Sequence, residues 1–104
     1  MKQSTLDITE IRLQKVVDHE QNYTFPEFLI ELRKTLGRTR QVVAYELDLE
    51  YDALLRMESG KSRVFSIEKT HLLAEYYGVN TSLLEEKARK WTREMKKKYP
   101  SRNP

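Results

Sequence analysis

Apolar residues recur every three or four positions over most of the chain, which is the period of an amphipathic α-helix. Five segments carry this pattern, and a short polar turn separates each segment from the next. The segments cover residues 25–36, 39–47, 51–59, 67–77 and 81–99. The positions on their predicted apolar faces are Phe25, Phe28, Leu29, Leu32, Leu36, Val43, Ala44, Leu47, Leu54, Met57, Leu84, Ala88, Trp91, Met95 and Tyr99. The predicted buried stripe of the fourth segment is Ile67, Thr70, Leu73, Ala74 and Tyr77. The pattern predicts five helices and indicates an all-α fold.

Residues that favour helix starts stand at the beginning of these segments. The predicted N-caps are Thr24 or Phe25 before Pro26, then Thr39, Ser66, and Asn80 or Thr81. Residues 1–24 are ambiguous, because their apolar residues alternate in places while Leu6, Leu13 and Val17 share a helical face. We interpret residues 1–24 as an arm and favour helix, with its apolar side chains docked on the domain or on a second copy.

Composition agrees with this fold class. The chain has 104 residues, which suits one domain, and its three glycines and three prolines are too few for a turn-rich sandwich or barrel. There is no cysteine, which excludes disulfides and thiolate chemistry. No apolar run is long enough to span a membrane, and the amino-terminal residues lack the apolar core of a signal peptide. We therefore expect a cytoplasmic protein with no membrane partner.

The net charge of +3 is unevenly distributed along the chain. Residues 85–104 carry eight basic and three acidic side chains, whereas residues 25–84 carry eight basic and nine acidic ones. Residues 1–24 carry three basic and four acidic side chains. The basic character therefore lies in the C-terminal segment. A domain that binds nucleic acid along its core is expected to have the opposite bias.

An ordered set of residues within positions 25–84 resembles the phage-repressor/Cro-like helix-turn-helix family, also called the XRE family. The matching residues are Leu32, Arg33, Gly37, Thr39, Ala44, Leu49, Leu54, Met57, Glu58, Gly60, Ser66, Ile67, Glu68, Leu73, Ala74, Gly78 and Val79. The resemblance implies a five-helix Cro/repressor-like domain over residues 25–84. To this domain the chain adds the N-terminal arm, residues 1–24, and a basic C-terminal helix and tail, residues 85–104.

The resemblance also implies roles for individual residues. Arg33 and Glu58 would form an ion pair that fixes the first and third predicted helices relative to each other. The residues that would contact double-stranded DNA are Thr39, Arg40, Tyr51, Asp52, Leu55, Arg56, Lys61, Ser62 and Arg63. Of these, Tyr51, Asp52 and Leu55 would face the major groove with Arg56 beside them, and the others would lie near phosphates.

The third predicted helix and the turn before it carry more acidic residues than the family pattern has there. Asp48 replaces the usual glycine of the turn, Glu50 replaces the usual serine, and Asp52 lies at a groove-facing position. Aspartate tolerates left-handed backbone geometry better than most residues, so we expect the turn to survive. Acidic groups beside phosphates oppose DNA binding, whereas at a helix start they are ordinary stabilising charges.

Two hypotheses of different classes follow. In the first, the protein is a small dimeric repressor-like regulator that binds specific DNA sequences. In the second, the same scaffold is a protein–protein interaction module with an acidic docking helix and no DNA binding. Self-association is expected through Leu72 and Tyr76, or through the apolar stripe of the last helix. We expect no enzyme activity, cofactor or metal, because no catalytic, phosphate-binding or Cys/His motif is present.

Overall fold

The computed structural model describes residues 7–62 and 65–99, and within these ranges all regular structure is helical. The helices are α1 (Ile8–Asp18), α2 (Phe25–Thr35), α3 (Arg40–Glu46), α4 (Tyr51–Ser59), α5 (Ile67–Tyr77) and α6 (Thr81–Lys98), with one 3₁₀ turn at Glu20–Asn22. The predicted all-α class is confirmed. The five helices predicted from residue 25 onwards correspond to α2–α6, and the helix favoured for the N-terminal arm is α1.

Side-chain caps begin the helices where the sequence predicts them. The Thr24 hydroxyl accepts a hydrogen bond from the Glu27 N–H at 3.3 Å, and the Glu27 carboxylate accepts one from the Thr24 N–H at 3.0 Å. Thr39, Ser66 and Asn80 cap α3, α5 and α6 in the same manner, each accepting from a backbone N–H three residues on. These caps satisfy amide groups that the first turn of a helix leaves without partners.

The core forms around α2, which packs against α1, α4 and α6. Its buried residues, Phe25, Phe28, Leu29 and Leu32, lie on the predicted face. The buried apolar residues of the other helices and of the turn before α6 are Val43, Ala44, Leu54, Met57, Leu73, Ala74, Tyr77, Val79, Leu84, Ala88 and Met95. The burial predicted for Ile67 is wrong, because this first residue of α5 is 54% exposed and the buried stripe begins at Thr70.

The arm docks on the domain through one side of α1. Leu13, Val16 and Val17 are partly buried against the core, while Ile8 and Ile11 lie on the exposed side. The Asp7 carboxylate accepts a hydrogen bond from the Glu10 N–H, and the Glu10 carboxylate accepts one from the Asp7 N–H. This reciprocal cap begins the helix. Of the three arm residues predicted to share a face, Leu6 lies outside the described residues.

A lysine fastens the connection between α1 and α2 onto α6. The Lys87 ammonium donates to the carbonyl oxygens of Glu20 and Tyr23, each at 2.8 Å, and to the Glu20 carboxylate at 3.0 Å. The same ammonium lies 5.3 Å from the centre of the Phe28 ring. Helix α6 continues without interruption past Leu84, and Ala88 and Trp91 pack with the core. The first half of α6 is therefore integrated with the other helices.

Among the helices of the described residues, none combines the length and apolarity that crossing a bilayer requires.

Candidate functional site

Helices α3 and α4 are joined by a tight turn over residues 47–50. Asp48 has a φ of 55°, and it is the one non-glycine residue with positive φ in the described ranges. The Leu49 N–H then donates to the Ala44 carbonyl oxygen at 2.8 Å, which folds the turn back on α3. Ala44, a small residue, is buried where α3 meets this turn. The prediction that Asp48 adopts left-handed geometry and preserves the turn is confirmed.

The predicted pair between Arg33 and Glu58 is confirmed. The Arg33 Nε lies 2.8 and 3.1 Å from the two carboxylate oxygens of Glu58, whose side chain is fully buried. The Arg33 Nη1 also donates to the Arg38 carbonyl oxygen at 2.9 Å. This arginine therefore ties α2 both to the end of α4 and to the segment that leads into α3.

A third residue, Arg40, joins this pair. Its Nε donates to Glu58 Oε1 at 2.8 Å, so one buried carboxylate is bound by two guanidinium groups. Partial desolvation lowers the pKa of Arg40, but its interactions with Glu58 and Tyr51 outweigh this effect and raise the pKa overall. The sequence predicts Arg40 as a phosphate donor. Part of its hydrogen-bonding capacity is instead used inside the protein, although the side chain still reaches solvent.

The outward face of α4 carries the residues that the sequence predicts there. Tyr51 is 41% exposed, Asp52 and Arg56 are also exposed, and Leu55 is half-buried. The inward face consists of three buried residues, Leu54, Met57 and Glu58. Because both apolar packing and an ion pair hold the inward face, the outward side chains project from a helix of fixed orientation.

The loop after α4 is held by α6. Lys61 is exposed and Ser62 is half-buried, and their N–H groups approach the Arg56 carbonyl oxygen at 3.1 and 3.4 Å. The indole Nε1–H of Trp91 donates to the Ser62 carbonyl oxygen at 3.1 Å. The third residue predicted for this loop, Arg63, lies outside the described residues.

A second, exposed network lies beside α3. The Arg38 guanidinium donates to Glu46 at 2.8 Å and to the Tyr76 hydroxyl at 2.6 Å, and Tyr76 in turn donates to Glu46. Desolvation and then the hydrogen bond to Glu46 raise the pKa of Tyr76, against the opposing charge of Arg38. Thr39 lies between Arg38 and Arg40, where its hydroxyl caps α3.

Ion pairing determines which charged residues around α3 and α4 remain available to a ligand. Arg38 and Arg40 form ion pairs with Glu46 and Glu58. Five charged residues at the two ends of α4 form no ion pair within residues 7–62 and 65–99. Three are acidic and lie near its start, and two are basic and lie near its end. The acidic residues are Asp48, Glu50 and Asp52, and the basic residues are Arg56 and Lys61. The start of α4 is therefore acidic and its end is basic.

Three interactions at or near the site were missed by the sequence analysis: the Arg40–Glu58 bond, the Trp91–Ser62 bond and the attachment of Lys87. Trp91 was assigned to the apolar stripe of α6, and Lys87 was counted within a basic run. Each interaction joins residues at least 18 positions apart. Helical periodicity identifies faces and not partners, so the sequence contained no signal for these bonds.

In the described part of the chain, no group of three or more His, Cys, Asp or Glu residues is arranged to hold a metal ion. His71 lies 3.2 Å from Glu85 on the surface, away from α4. Comparisons with protein-family models, with curated proteins and with solved structures found no match to this chain.

Proposed function

We propose that this protein is a DNA-binding transcriptional regulator in which α3, the turn and α4 form a helix-turn-helix unit. The observation that carries the proposal is the two-sided character of α4. Its buried side is anchored by Leu54, Met57 and the Glu58 ion pairs, while Tyr51 and Asp52 project into solvent. An α-helix presented in this manner fits the major groove of B-form DNA, where base pairs are distinguishable.

The outward side chains would divide the recognition between them. Asp52 would accept a hydrogen bond from the amino group of cytosine, and the exposed part of Leu55 would contact a thymine methyl group. Arg56 follows Asp52 by one helical turn and would donate to guanine or to a phosphate. Tyr51 lies at the first position of α4 and would contact the groove edge with its ring and hydroxyl.

Phosphate contacts would come from both sides of this helix. Lys61 and the Ser62 hydroxyl lie just after α4, and the solvent-facing part of Arg40 lies at the start of α3. The backbone N–H groups of Lys61 and Ser62 donate to the Arg56 carbonyl oxygen. These two residues would therefore bind phosphates through their side chains. Because Arg56 and Lys61 are the basic residues near the end of α4 that form no ion pair in the described ranges, we expect a shallow salt dependence, with a log–log slope of about −0.9 for each phosphate neutralised.

We further propose that the protein acts as a dimeric, repressor-like protein in the cytoplasm. Leu72 on α5 and Tyr99 after α6 are exposed, and they offer apolar area for self-association. Two copies related by a two-fold axis would read two half-sites about 34 Å apart, which is one turn of DNA.

A second candidate function is docking of a basic protein partner, and a separate observation favours it. Tyr45 is 87% exposed on α3, and its carbonyl oxygen accepts from the Asp48 N–H at 3.2 Å. The backbone of an exposed aromatic residue therefore adjoins the acidic turn, with Val42 also exposed one turn earlier. An aromatic residue beside unpaired carboxylates is typical of a surface that binds a positively charged protein.

Selection from a random pool of DNA duplexes at several salt concentrations tests the proposal. The full chain is needed, because truncation after Leu84 would remove Ala88 and Trp91 from the core. Tyr51→Ala should weaken specific binding by about 1–3 kcal/mol while leaving the melting temperature nearly unchanged. Tyr45→Ala is the matched control, since it removes an exposed tyrosine from α3 and should leave DNA affinity unchanged.

Two outcomes would contradict the proposed DNA binding. A wild-type chain that selects no sequence, even at low salt, would contradict DNA recognition and favour the protein partner. A second variant, with Lys96, Lys97 and Lys98 all changed to glutamine, separates groove recognition from non-specific attraction to the basic end of α6. Binding that disappears in this variant and persists in Tyr51→Ala would also contradict the proposal.

A further inference from the structure

The loop after α4 directs its backbone polar groups inward. Gly60 has a φ of 76°, and its N–H donates to the Arg56 carbonyl oxygen. The same oxygen accepts from Lys61 N–H at 3.1 Å and from the Ser59 hydroxyl at 3.3 Å. The loop therefore wraps around one carbonyl group and offers its side chains, rather than its amides, to a ligand outside.

One residue of α6 contacts this loop at two points. The Trp91 Nε1–H donates to the Ser62 carbonyl oxygen at 3.1 Å. The edge of the same ring lies 3.3 Å from the place where a side chain at Gly60 would begin, and Pro26 lies 3.7 Å from it. Gly60 thus permits the close approach of the indole, and the hydrogen bond then holds the next turn of the chain.

This double contact has a consequence for binding. A loop that is mobile when free must be ordered when it binds, and the entropy lost in ordering weakens the affinity. Lys61 lies between the two points at which Trp91 holds the chain, so its backbone is ordered before any ligand arrives. A tryptophan N–H in a partly buried position also has to find an acceptor, and here the Ser62 carbonyl group is that acceptor.

We propose that Trp91 is a positioning residue for phosphate binding by Lys61 and Ser62, which makes α6 part of the DNA-binding unit. The inference rests on the proposed DNA-binding function and extends it to a helix that lies beyond the helix-turn-helix. Trp91 itself does not touch DNA. It acts by holding the loop in the geometry that lets Lys61 reach a phosphate.

Trp91→Phe in the full chain is the first variant, because it keeps an aromatic ring and removes the N–H donor. DNA affinity should fall about two- to tenfold, the range expected for one hydrogen bond. Thr92→Val is the matched control. It is on the same helix, changes no charge, and removes the hydroxyl of a residue that lines the groove between α5 and α6. Its affinity should equal that of the wild type.

A double-mutant cycle with Lys61→Gln separates positioning from general damage. If Trp91 acts through Lys61, Trp91→Phe should weaken binding much less when Lys61 is already glutamine. The salt dependence should agree, because Lys61→Gln removes about one unit of slope and adding Trp91→Phe should remove no more. A loss of affinity that is equal in both backgrounds would overturn the inference.

A measurement without DNA distinguishes failure of the inference from failure of the proposed function. Amide hydrogen exchange at Lys61 and Ser62 should be about two- to tenfold faster in Trp91→Phe than in the wild type or in Thr92→Val. Unchanged exchange together with unchanged affinity would overturn the role of Trp91 alone. A wild-type chain that binds no duplex would overturn the phosphate contact and the proposed function together, even if the exchange rates change as expected.

Discussion

The two ends of α4 are built differently. At its start, Glu50 occupies the N-cap without a side-chain hydrogen bond, and Asp48 and Asp52 on either side have no ion pair in the described ranges. At its end, Glu58 is buried between two arginines, and the loop that follows Gly60 is held by Trp91. The end of the helix is thus tied to α2, α3 and α6, while the start is tied mainly through the turn.

This difference separates orientation from recognition. Interactions at the end of α4 determine how the helix projects from the core, and substitutions there should change stability. The acidic side chains at its start form no ion pair in the described ranges, so substitutions of these residues should change the choice of ligand with little effect on folding. The predictions below test this separation.

The largest effect is expected at the buried ion pair. Arg33→Ala should lower the free energy of unfolding by about 3–5 kcal/mol, because it leaves the buried Glu58 carboxylate with only Arg40 as a partner. Arg38→Ala is the control, since it removes an exposed arginine of the same region and should cost about 1 kcal/mol or less. Urea denaturation measures both. Equal losses would show that burial does not distinguish the two networks.

A smaller effect is expected at Gly60. Gly60→Ala should cost about 2–4 kcal/mol, because the new methyl group meets left-handed strain and also the Trp91 ring. Gly78→Ala is matched in backbone geometry, with a φ of 72° and open space around it, and should cost about 1–2 kcal/mol. Thermal or urea unfolding of both variants measures the difference. Equal costs would mean that the indole moves aside without penalty.

A gain is expected at the start of α4. Glu50→Ser should stabilise the protein by about 0.5–1 kcal/mol, because serine can accept a hydrogen bond from the first turn and Glu50 makes none. If α4 enters DNA, the same change should raise affinity at low salt by removing a charge that faces phosphates. Glu50→Gln removes the charge without supplying a good cap, so it should raise affinity and leave stability unimproved.

The smallest effect is expected at Tyr77, a neighbour of Glu58 that takes no part in the ion pairs. Its hydroxyl is buried and has no hydrogen-bond partner among residues 7–62 and 65–99, and desolvation followed by the charge of Glu58 raises its pKa, so it stays protonated. Tyr77→Phe should leave the free energy of unfolding unchanged or raise it by up to about 1 kcal/mol. A marked loss of stability in urea denaturation would mean that the hydroxyl has a partner.

Much of the helical framework could be predicted from sequence, because caps and apolar spacing are local signals. Thr39 and Ser66 cap helices as expected, and Asp48 adopts the left-handed turn. The predicted burial of Ile67 is wrong, because the first residue of a helix can lie on its apolar face and still extend beyond the core. The resemblance supplied the pair of Arg33 with Glu58, which no periodicity could give.

The remainder of the site depends on contacts between distant parts of the chain. The sequence predicts Arg40 only as a phosphate donor, yet the same carboxylate that binds Arg33 also binds it. A lysine such as Lys87 within a basic run has the sequence context of a solvated side chain. Only the packing of α6 against the other helices brings it to the carbonyl groups of the α1–α2 connection.

The position of Lys87 also bears on the order in which the protein is completed during synthesis. Its bonds to Glu20 and Tyr23 span more than sixty positions, and such distant contacts form slowly because a long stretch of chain must first be closed. A ribosome makes α1 to α5 before it makes residues 87 and 91. The connection between α1 and α2 and the loop after α4 are therefore both held by the same late helix, and a nascent chain that stops before it would lack both attachments.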